Sequence, residues 1–453
     1  MPQERDGRVA GETNQMEEMM KKGMKVSLSV AAAALLMSAP AAFAFHSGGV
    51  AECEGCHTMH NSLGGQVMNG ATAQFTTGPM LLQGATQSSS CLNCHQKAGD
   101  TGPSSYHIST AESDMPAGTA PLQMTPGGDF GWLKKTYTWN VRGLNTSEGE
   151  RKGHNVVAGD YNYVADATLT TAPGGTYPAN QLHCSSCHDP HGKYRRFVDG
   201  SIATTGLPIK NSGSYNSSAD PTAWGAVGAY RILGGTGYQP KSLSGSYAFA
   251  NQVPAAVAPS TYNRTEATNQ TRVAYGQGMS EWCANCHTDI HNSSYPTNLR
   301  HPAGNGAKFG ATIAGLYNSY KKSGDLTGTQ ASAYLSLAPF EEGTADYTVL
   351  KAHAQINDSV LTGADATSNV NCLSCHRAHA SGFDSMTRFN LAYEFTTIAD
   401  ASGNSVYGTG DPSASSSLQG RTVNEMTAAY YGRTADKFAP YQRALCNKCH
   451  AKD

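Results

Sequence analysis

The chain has 453 residues, and its 32 Lys and Arg residues nearly balance 34 Asp and Glu residues, for a formal net charge of −2 at pH 7. This balance leaves no basic footprint of the kind that nucleic-acid-binding domains carry, so nucleic acid is excluded as a partner. Hydrophobic residues make up 39% of the chain, below the usual share of about 45–50%. An enzyme built around large apolar cores is therefore not what the composition predicts.

The first 44 residues predict export. Residues 1–19 are polar and mixed in charge, and we expect them to be a mis-assigned start or a disordered extension that is removed. Residues 20–44 have a basic beginning, an apolar run over Val26–Met37 and small residues before a cleavage site after Ala44, which is the pattern of a secretory signal peptide. The apolar run is too short to span a bilayer, and no later segment predicts a transmembrane helix.

Few segments of the remaining chain have a helical pattern. Phe130–Gly143 predicts an extended hairpin arm, and Phe309–Gly324 predicts a helix that ends in lysines and a glycine. Val423–Lys452 predicts a longer helix with a break at Pro440. Gly, Pro, Ser and Asn dominate between these segments and predict loops. Since no boundary separates a second unit, we expect residues 45–453 to form a single domain.

All 12 cysteines fall in six C-x-x-C-H blocks, and none is left over. A zinc site or a redox dithiol explains a C-x-x-C pair, but neither explains a histidine at the same place six times. C-x-x-C-H is the attachment sequence of c-type haem: the two thiols form thioethers, and the histidine ligates the iron. The predicted attachment residues are Cys53, Cys56, Cys91, Cys94, Cys184, Cys187, Cys283, Cys286, Cys372, Cys375, Cys446 and Cys449. The predicted proximal ligands are His57, His95, His188, His287, His376 and His450.

Six covalent haem c groups change the expected fold. The spacing between blocks is irregular, so the chain is not a repeat solenoid. Long loops normally argue against a compact domain, but covalent attachment to haem can hold them in place. We therefore predict a multihaem cytochrome c of mostly irregular coil and turns, with a few short helices and little sheet, wrapped around a chain of six closely packed haems.

Ten of the 16 histidines lie outside the attachment blocks, which favours a second histidine on every iron and low-spin, bis-histidine haems. In C-x-x-C-H-x-x-H the last histidine is about one helical turn from the proximal one, so it reaches a neighbouring haem and not its own. We expect six distal ligands among His46, His60, His107, His154, His191, His301, His353 and His379. His183 and His291 are less favoured, and the sequence does not pair any ligand with its iron.

Haem density indicates the function. A compact domain of residues 45–453 has a radius of gyration of about 22 Å, so six porphyrins within it lie close together. Irons that are closed on both faces pass electrons and offer no open site to a substrate, which predicts an electron-transfer protein and not an enzyme. A monomeric electron shuttle fits every motif equally well. A multihaem reductase would keep one iron open, often through an altered haem motif, and no motif is altered here.

Three segments carry a family resemblance: "FHSGGVAECEGCHTMHNS", "HCSSCHDPHGKYRR" and "NCLSCHRAHASGF". The chain resembles the extracellular multihaem cytochromes of metal-reducing bacteria across Phe45–Asp453. The resemblance implies a protein of the outer cell surface that polymerises head to tail into a conductive filament, in which His60 ligates a haem of the adjacent subunit. It also implies other multihaem cytochromes, ferric minerals and electrodes as partners.

Overall fold

The computed structural model describes most of the chain after residue 52. The described residues are 53–58, 62–63, 66–67, 81–103, 106–205, 209–211, 215–243, 245–259, 265–267, 270–291, 301–356 and 358–450. All of them belong to one compact unit, Phe43–Asp453. The upstream extension and the signal sequence lie outside the described residues, as do the ligand candidates His46 and His60.

The helices are short. They are α1 (Cys53–Cys56), α2 (Gln87–His95), α3 (Met279–Cys283), α4 (Thr288–His291), α5 (Gly310–Ser319), α6 (Tyr347–His353), α7 (Cys372–Cys375), α8 (Val423–Ala429) and α9 (Asn447–His450). Local side chains start several of them: Thr86 caps α2 by accepting from the Ser89 N–H, and Thr422 and Glu425 form a reciprocal capping box on α8. In the part of the chain that is described, no helix has the length and apolar character needed to cross a bilayer.

The strands form small, separate sheets. They are β1 (Ser62–Leu63), β2 (Gln66–Val67), β3 (Gln96–Lys97), β4 (Ser109–Thr110), β5 (Tyr137–Asn140), β6 (Leu144–Ser147), β7 (Arg195–Arg196), β8 (Ile202–Ala203), β9 (Ile209–Asn211), β10 (Ala226–Gly228), β11 (Ala255–Val257), β12 (Ala274–Gln277), β13 (Ile398–Ala399) and β14 (Ser405–Val406). One sheet has four strands in the order β8-β7-β10-β9, and the other sheets are pairs of consecutive strands. The predicted fold, mostly coil with short helices and little sheet, is confirmed.

The predicted elements agree with the structure in part. The helix predicted over Phe309–Gly324 is present as α5. The long helix predicted from Val423 ends already at Ala429, because Tyr431 and Gly432 adopt positive φ angles of 57° and 75°. The arm predicted from Phe130 begins as a 3-10 helix over Phe130–Lys134, and the hairpin of β5 and β6 follows it.

Buried apolar residues form several clusters instead of one large core. The largest cluster packs Trp132, Phe383, Met426 and Tyr430 together between segments that are far apart in sequence. A second cluster contains Leu373, which lies inside the fifth C-x-x-C-H block. The clusters therefore hold the turns that carry the haem motifs.

Candidate haem-binding site

Each C-x-x-C-H block lies on a single helical turn. The backbone N–H of the motif histidine donates to the carbonyl of the first cysteine at 2.9–3.1 Å in the first, third, fourth, fifth and sixth blocks, and the second block forms the end of α2. Such a turn places both thiols and the imidazole on one side of the backbone. All twelve cysteines are unbridged, so each block keeps the donor groups that covalent haem attachment requires.

The six blocks follow one another in space in the order of the sequence. A cysteine of each block lies close enough to one in the next block for the pair to interact electrostatically. The pairs are Cys56 and Cys94, Cys91 and Cys184, Cys187 and Cys286, Cys283 and Cys372, and Cys375 and Cys449. Burial, and then the neighbouring Cys375 thiol, raises the pKa of Cys449 to about 12. The sequence could not supply this order, since the blocks have no fixed spacing.

The proximal imidazoles are oriented by backbone carbonyls. The Nδ1 partners are the carbonyls of Tyr106 for His95 (2.6 Å), Arg231 for His188 (2.7 Å), Pro173 for His287 (2.8 Å) and Ser385 for His376 (2.8 Å). When Nδ1 donates to a carbonyl, the tautomer is fixed and Nε2 keeps the lone pair that ligates a metal.

A left-handed turn, which we call the clamp, fixes the third block. Arg231 and Ile232 have φ angles of 49° and 51°. The Arg231 carbonyl accepts from Nδ1 of His188 at 2.7 Å, and the Ile232 carbonyl accepts from the backbone N–H of Asp189 at 2.7 Å. The left-handed conformation costs a non-glycine residue about 1–2 kcal/mol, so the surrounding contacts hold this turn in place.

The fifth block has the same clamp. Ser385 and Met386 have φ angles of 55° and 47°. Their carbonyls accept from Nδ1 of His376 and from the backbone N–H of Arg377, both at 2.8 Å.

A further hydrogen bond recurs with the clamp, from a downstream N–H to the carbonyl of the second motif cysteine. The donor–acceptor pairs are Gly234 to Cys187, Arg388 to Cys375 and, at the first block, Gln83 to Cys56. The first block also has Leu81 at a φ of 44°, with its carbonyl accepting from the Thr58 N–H at 2.7 Å. Sequence reasoning missed the clamps because non-glycine residues give no signal of a left-handed turn.

A buried ion pair supports the fifth block as well. The Nη1 atoms of Arg377 and Arg388 lie 2.6 and 3.5 Å from Oε2 of Glu266, and the three side chains are at most 4% exposed. Arg388 also donates from Nε to the Leu373 carbonyl inside the block, at 2.6 Å. The carboxylate therefore compensates two buried cations that follow and anchor the motif.

The structure brings the rings of four motif histidines close to the ring of a predicted distal ligand. The ring centres are 6.4 Å apart for His57 and His191, 6.1 Å for His287 and His154, 6.4 Å for His188 and His379, and 5.9 Å for His450 and His301. An imidazole nitrogen lies about 2 Å from a metal that it ligates, so two rings on opposite sides of one metal have centres about 6 Å apart. The four pairs thus fit the two axial positions of a haem iron.

A fifth candidate, His107, lies beside its own block. Strands β3 and β4 pair in parallel directly after His95, and the Ile108 N–H donates to the His95 carbonyl at 3.0 Å. Burial lowers the pKa of His95, and the charge of His107 lowers it further. The His107 ring is therefore close to His95, and its Nδ1 is hydrogen-bonded to the carboxylate of Asp100.

Burial keeps the facing imidazoles neutral. Burial, and then the neighbouring His188, lowers the pKa of His379 to about 3. Burial, and then His287, lowers the pKa of His154 to about 4. Both rings are uncharged near neutral pH, which is the form of histidine that binds a metal.

Two glycines allow the segment after the fifth block to pack closely. A Cβ atom on Gly153 would lie 2.3 Å from the His379 carbonyl oxygen, and one on Gly128 would lie 1.8 Å from the Ala380 carbonyl oxygen. The His154 N–H donates to the same His379 carbonyl at 2.9 Å. This packing places His154 and His379 side by side, so one segment positions two of the facing rings.

Three histidines stand apart from these pairs. Within the described ranges, His376 makes no ring contact with another histidine. Among the described residues the ring of His353, a predicted ligand, also contacts no other histidine ring, and its Nδ1 is hydrogen-bonded to the Glu342 carboxylate. His183, a less favoured candidate, has its Nδ1 3.3 Å from the Ser88 hydroxyl and 3.2 Å from the Val157 carbonyl.

Unbridged thiol pairs beside proximal histidines, in six successive blocks, define a multihaem c-type cytochrome. No family model matches the chain. The chain is 95% identical over 434 residues to the C-type cytochrome OmcS of Geobacter sulfurreducens, covering 96% of this chain and 100% of that protein. The chain therefore belongs to the OmcS family of c-type cytochromes.

Two solved structures have the same fold. The OmcS nanowires from Geobacter sulfurreducens, determined by cryo-EM, match with a TM-score of 0.85 at 94% identity, covering 90% of this chain and 100% of that chain. The Outer Membrane Cytochrome S filament from the same organism matches with a TM-score of 0.84 at 94% identity and the same coverage.

Proposed function

We propose that the protein is an extracellular electron carrier with six haem c groups, whose subunits join head to tail in a conductive filament. The observation that carries this proposal is the succession of six haem motifs in space, each with a cysteine close to one in the next motif. Haem c supplies an iron that gains and loses one electron without a change of ligands. A continuous succession of such sites passes electrons from one end of the subunit to the other.

The chain's own residues would hold each group in a defined way. The twelve motif cysteines form the thioethers, and the six motif histidines are the proximal ligands. The proposed axial pairs are His57 with His191, His95 with His107, His188 with His379, His287 with His154, and His450 with His301. Two imidazoles on each iron keep the haems low-spin and leave no position for a substrate, which supports electron transfer over catalysis.

The sixth axial pair reaches across two subunits in this proposal. His376 has no facing histidine in the described part of its own chain. The related OmcS structures are nanowires and filaments. We assign the ligand position opposite His376 to His60 of a second copy. A head-to-tail contact that does not close produces an open filament. The coordinate bond would fix the register between subunits.

The proposed location follows from the signal sequence. Cleavage after Ala44 would release residues 45–453 as one exported haem domain at the outer cell surface. There the filament would deliver electrons to ferric minerals or electrodes and exchange them with other multihaem cytochromes.

The same observation on His376 also supports a second candidate function, that of a monomeric shuttle or reductase. In an isolated subunit, the face of the fifth haem opposite His376 lacks an imidazole from the described chain. A subunit that stayed monomeric would be a shuttle with one accessible iron, or a reductase that uses that iron. Assembly therefore decides between a wire and these alternatives.

The test is the His60→Ala variant, with His353→Ala as the control because the ring of His353 contacts no histidine ring among the described residues. We expect His60→Ala to bind six haems, as measured by haem content per chain, but to lose filaments in electron micrographs and to gain a high-spin band. The control keeps filaments and a low-spin spectrum. Filaments of normal length from His60→Ala, with no high-spin band, would contradict the cross-subunit ligand.

A further inference from the structure

His107, the proposed distal ligand of the second block, differs from the other proposed ligands in its hydrogen-bond partner. Where the Nδ1 partner of a proposed axial histidine lies in the described chain, it is generally a neutral carbonyl, such as Ala378 for His154 and Pro302 for His301. The Nδ1 of His107 instead faces the carboxylate of Asp100. The side chains of His107 and Asp100 are only 6% and 14% exposed, so water screens this contact weakly.

The Asp100 carboxylate is held in place by the protein. Its Oδ1 accepts from the Gly102 N–H at 3.0 Å, and its Oδ2 accepts from Nε2 of Gln123 at 2.9 Å as well as from His107. Gln123 is buried, with 1% of its surface exposed. These hydrogen bonds fix the carboxylate against the imidazole of His107.

We propose that Asp100 is a positioning residue that lowers the reduction potential of the second haem below that of its neighbours, by drawing the Nδ1 proton of His107 towards a buried carboxylate. This inference rests on the proposed assignment of His107 as an axial ligand. A carboxylate partner makes an imidazole a more basic ligand, and a fixed negative charge nearby opposes the addition of an electron. Both effects stabilise the ferric over the ferrous form.

The consequence is a built-in energy difference inside the conduction path. The second block lies between the first and the third in space. An electron that crosses the subunit therefore passes a site of lower potential one step from the first haem. The one-electron couple changes no bond, so the carboxylate sets the height of this step without taking part in the transfer.

The experiment is a spectroelectrochemical titration of the purified holoprotein filament. Asp100→Asn should shift one sixth of the haem absorbance change to a higher potential, while Asp100→Glu retains the wild-type curve. Asp114→Asn is the matched control, because Asp114 lies in the same region and accepts from the Gly99 N–H without touching an imidazole. A shift in Asp100→Asn no larger than that in Asp114→Asn would overturn the inference.

Two further variants separate the possible failures. Gln123→Met removes a competing hydrogen-bond donor from Oδ2 of Asp100, so it should shift the same fraction of the haem absorbance change to a lower potential. An unchanged or raised potential would contradict the inference, and this variant still provides a test if Asp100→Asn does not assemble. His107→Ala should create a high-spin haem. If His107→Ala creates no high-spin haem, the assignment of His107 as an axial ligand fails. If it does create one, while Asp100→Asn leaves the titration curve unchanged, only the role of Asp100 fails.

Discussion

The third and fifth blocks have the same backbone clamp but differ in what faces their histidines. Arg231 and Ser385 present left-handed carbonyls to His188 and His376 in the same way. The ring of His379 faces His188 at 6.4 Å, whereas His376 has no such ring in the described chain. The comparison indicates that a local turn positions the motif histidine, while the ring that faces it comes from a distant segment of the chain, as His379 does for His188.

The two blocks also differ in buried charge. The fifth block is anchored by Arg377 and Arg388 on Glu266. At the third block, the Arg231 guanidinium instead stacks over Tyr215 and Tyr230, with its carbon 5.6 Å from each ring centre. The block with no facing histidine in the described chain is therefore the one with the buried ion pair as its anchor.

The largest expected effect comes from removing the distal ring of the third block. His379→Ala should produce one more high-spin haem than the wild type in both the filament and the isolated subunit, since the missing ligand belongs to the same chain. Filaments should persist in electron micrographs, in contrast to His60→Ala. A fully low-spin spectrum for His379→Ala would show that the facing ring is not a ligand.

The next largest effect, on the free energy of unfolding, should come from removing the buried carboxylate that pairs with the arginines of the fifth block. Glu266→Gln leaves two buried guanidinium groups without compensation, which we expect to lower the free energy of unfolding by about 3–5 kcal/mol. Urea unfolding of the holoprotein measures it. The control is Glu394→Gln, which breaks an exposed ion pair with Arg443 and should cost less than about 1 kcal/mol. Equal losses of unfolding free energy in the two variants would contradict the role of Glu266 as an anchor of the fifth block.

The buried carboxyl group of Glu341, near the fifth block, should make the free energy of unfolding depend on pH. Glu341 is fully buried between the N–H of Met279 and the amide of Asn369, and burial raises its pKa from 4.5 to about 7. The folded state holds this proton more tightly than the unfolded state, so the contribution of Glu341 to the free energy of unfolding is fully present below pH 4.5 and is lost as the pH rises to 7. The loss is about 3 kcal/mol.

Urea midpoints at pH 5 and pH 8 measure this dependence. Glu341→Gln should flatten the difference between the two midpoints, whereas the exposed Glu394→Gln should leave it as in the wild type. If Glu341→Gln retained the full difference, another group would have to be responsible.

The smallest expected effect concerns the clamp itself. Ser385 is exposed and left-handed, with a φ of 55°, so Ser385→Gly should stabilise the protein by up to about 1 kcal/mol through relief of backbone strain. The matched control is the exposed Ser402, whose φ is not positive, and Ser402→Gly should be neutral or slightly destabilising. Urea unfolding of the two variants measures the difference in stability. Destabilisation by Ser385→Gly would contradict the claim that the backbone at Ser385 is strained.

The sequence predicted those features that depend on local spacing. Thioether attachment needs two thiols and a histidine on one turn, so the blocks beginning at Cys184 and Cys372 are recognisable from five residues each. The helix Gly310–Ser319 was predicted from the lysines and the glycine that follow it, which lie beyond its last turn. The fold class followed from the lack of other periodic patterns.

Features that depend on distant contacts could not be predicted. His57 faces His191, and His188 faces His379, from positions that only the folded chain brings together. His353 was a reasonable candidate by composition, yet among the described residues its ring contacts no other histidine ring. The clamp at Ser385 gives no signal because its left-handed angle is imposed by the surrounding structure.

The most direct test of the central claim is the spin state of the haems before and after filaments are dissociated into single subunits. The account predicts that every haem is low-spin in the filament and that a single one of the six becomes high-spin, or binds added cyanide, when the subunits separate. An unchanged low-spin spectrum in well-folded single subunits would contradict it, because the fifth haem would then be closed by its own chain.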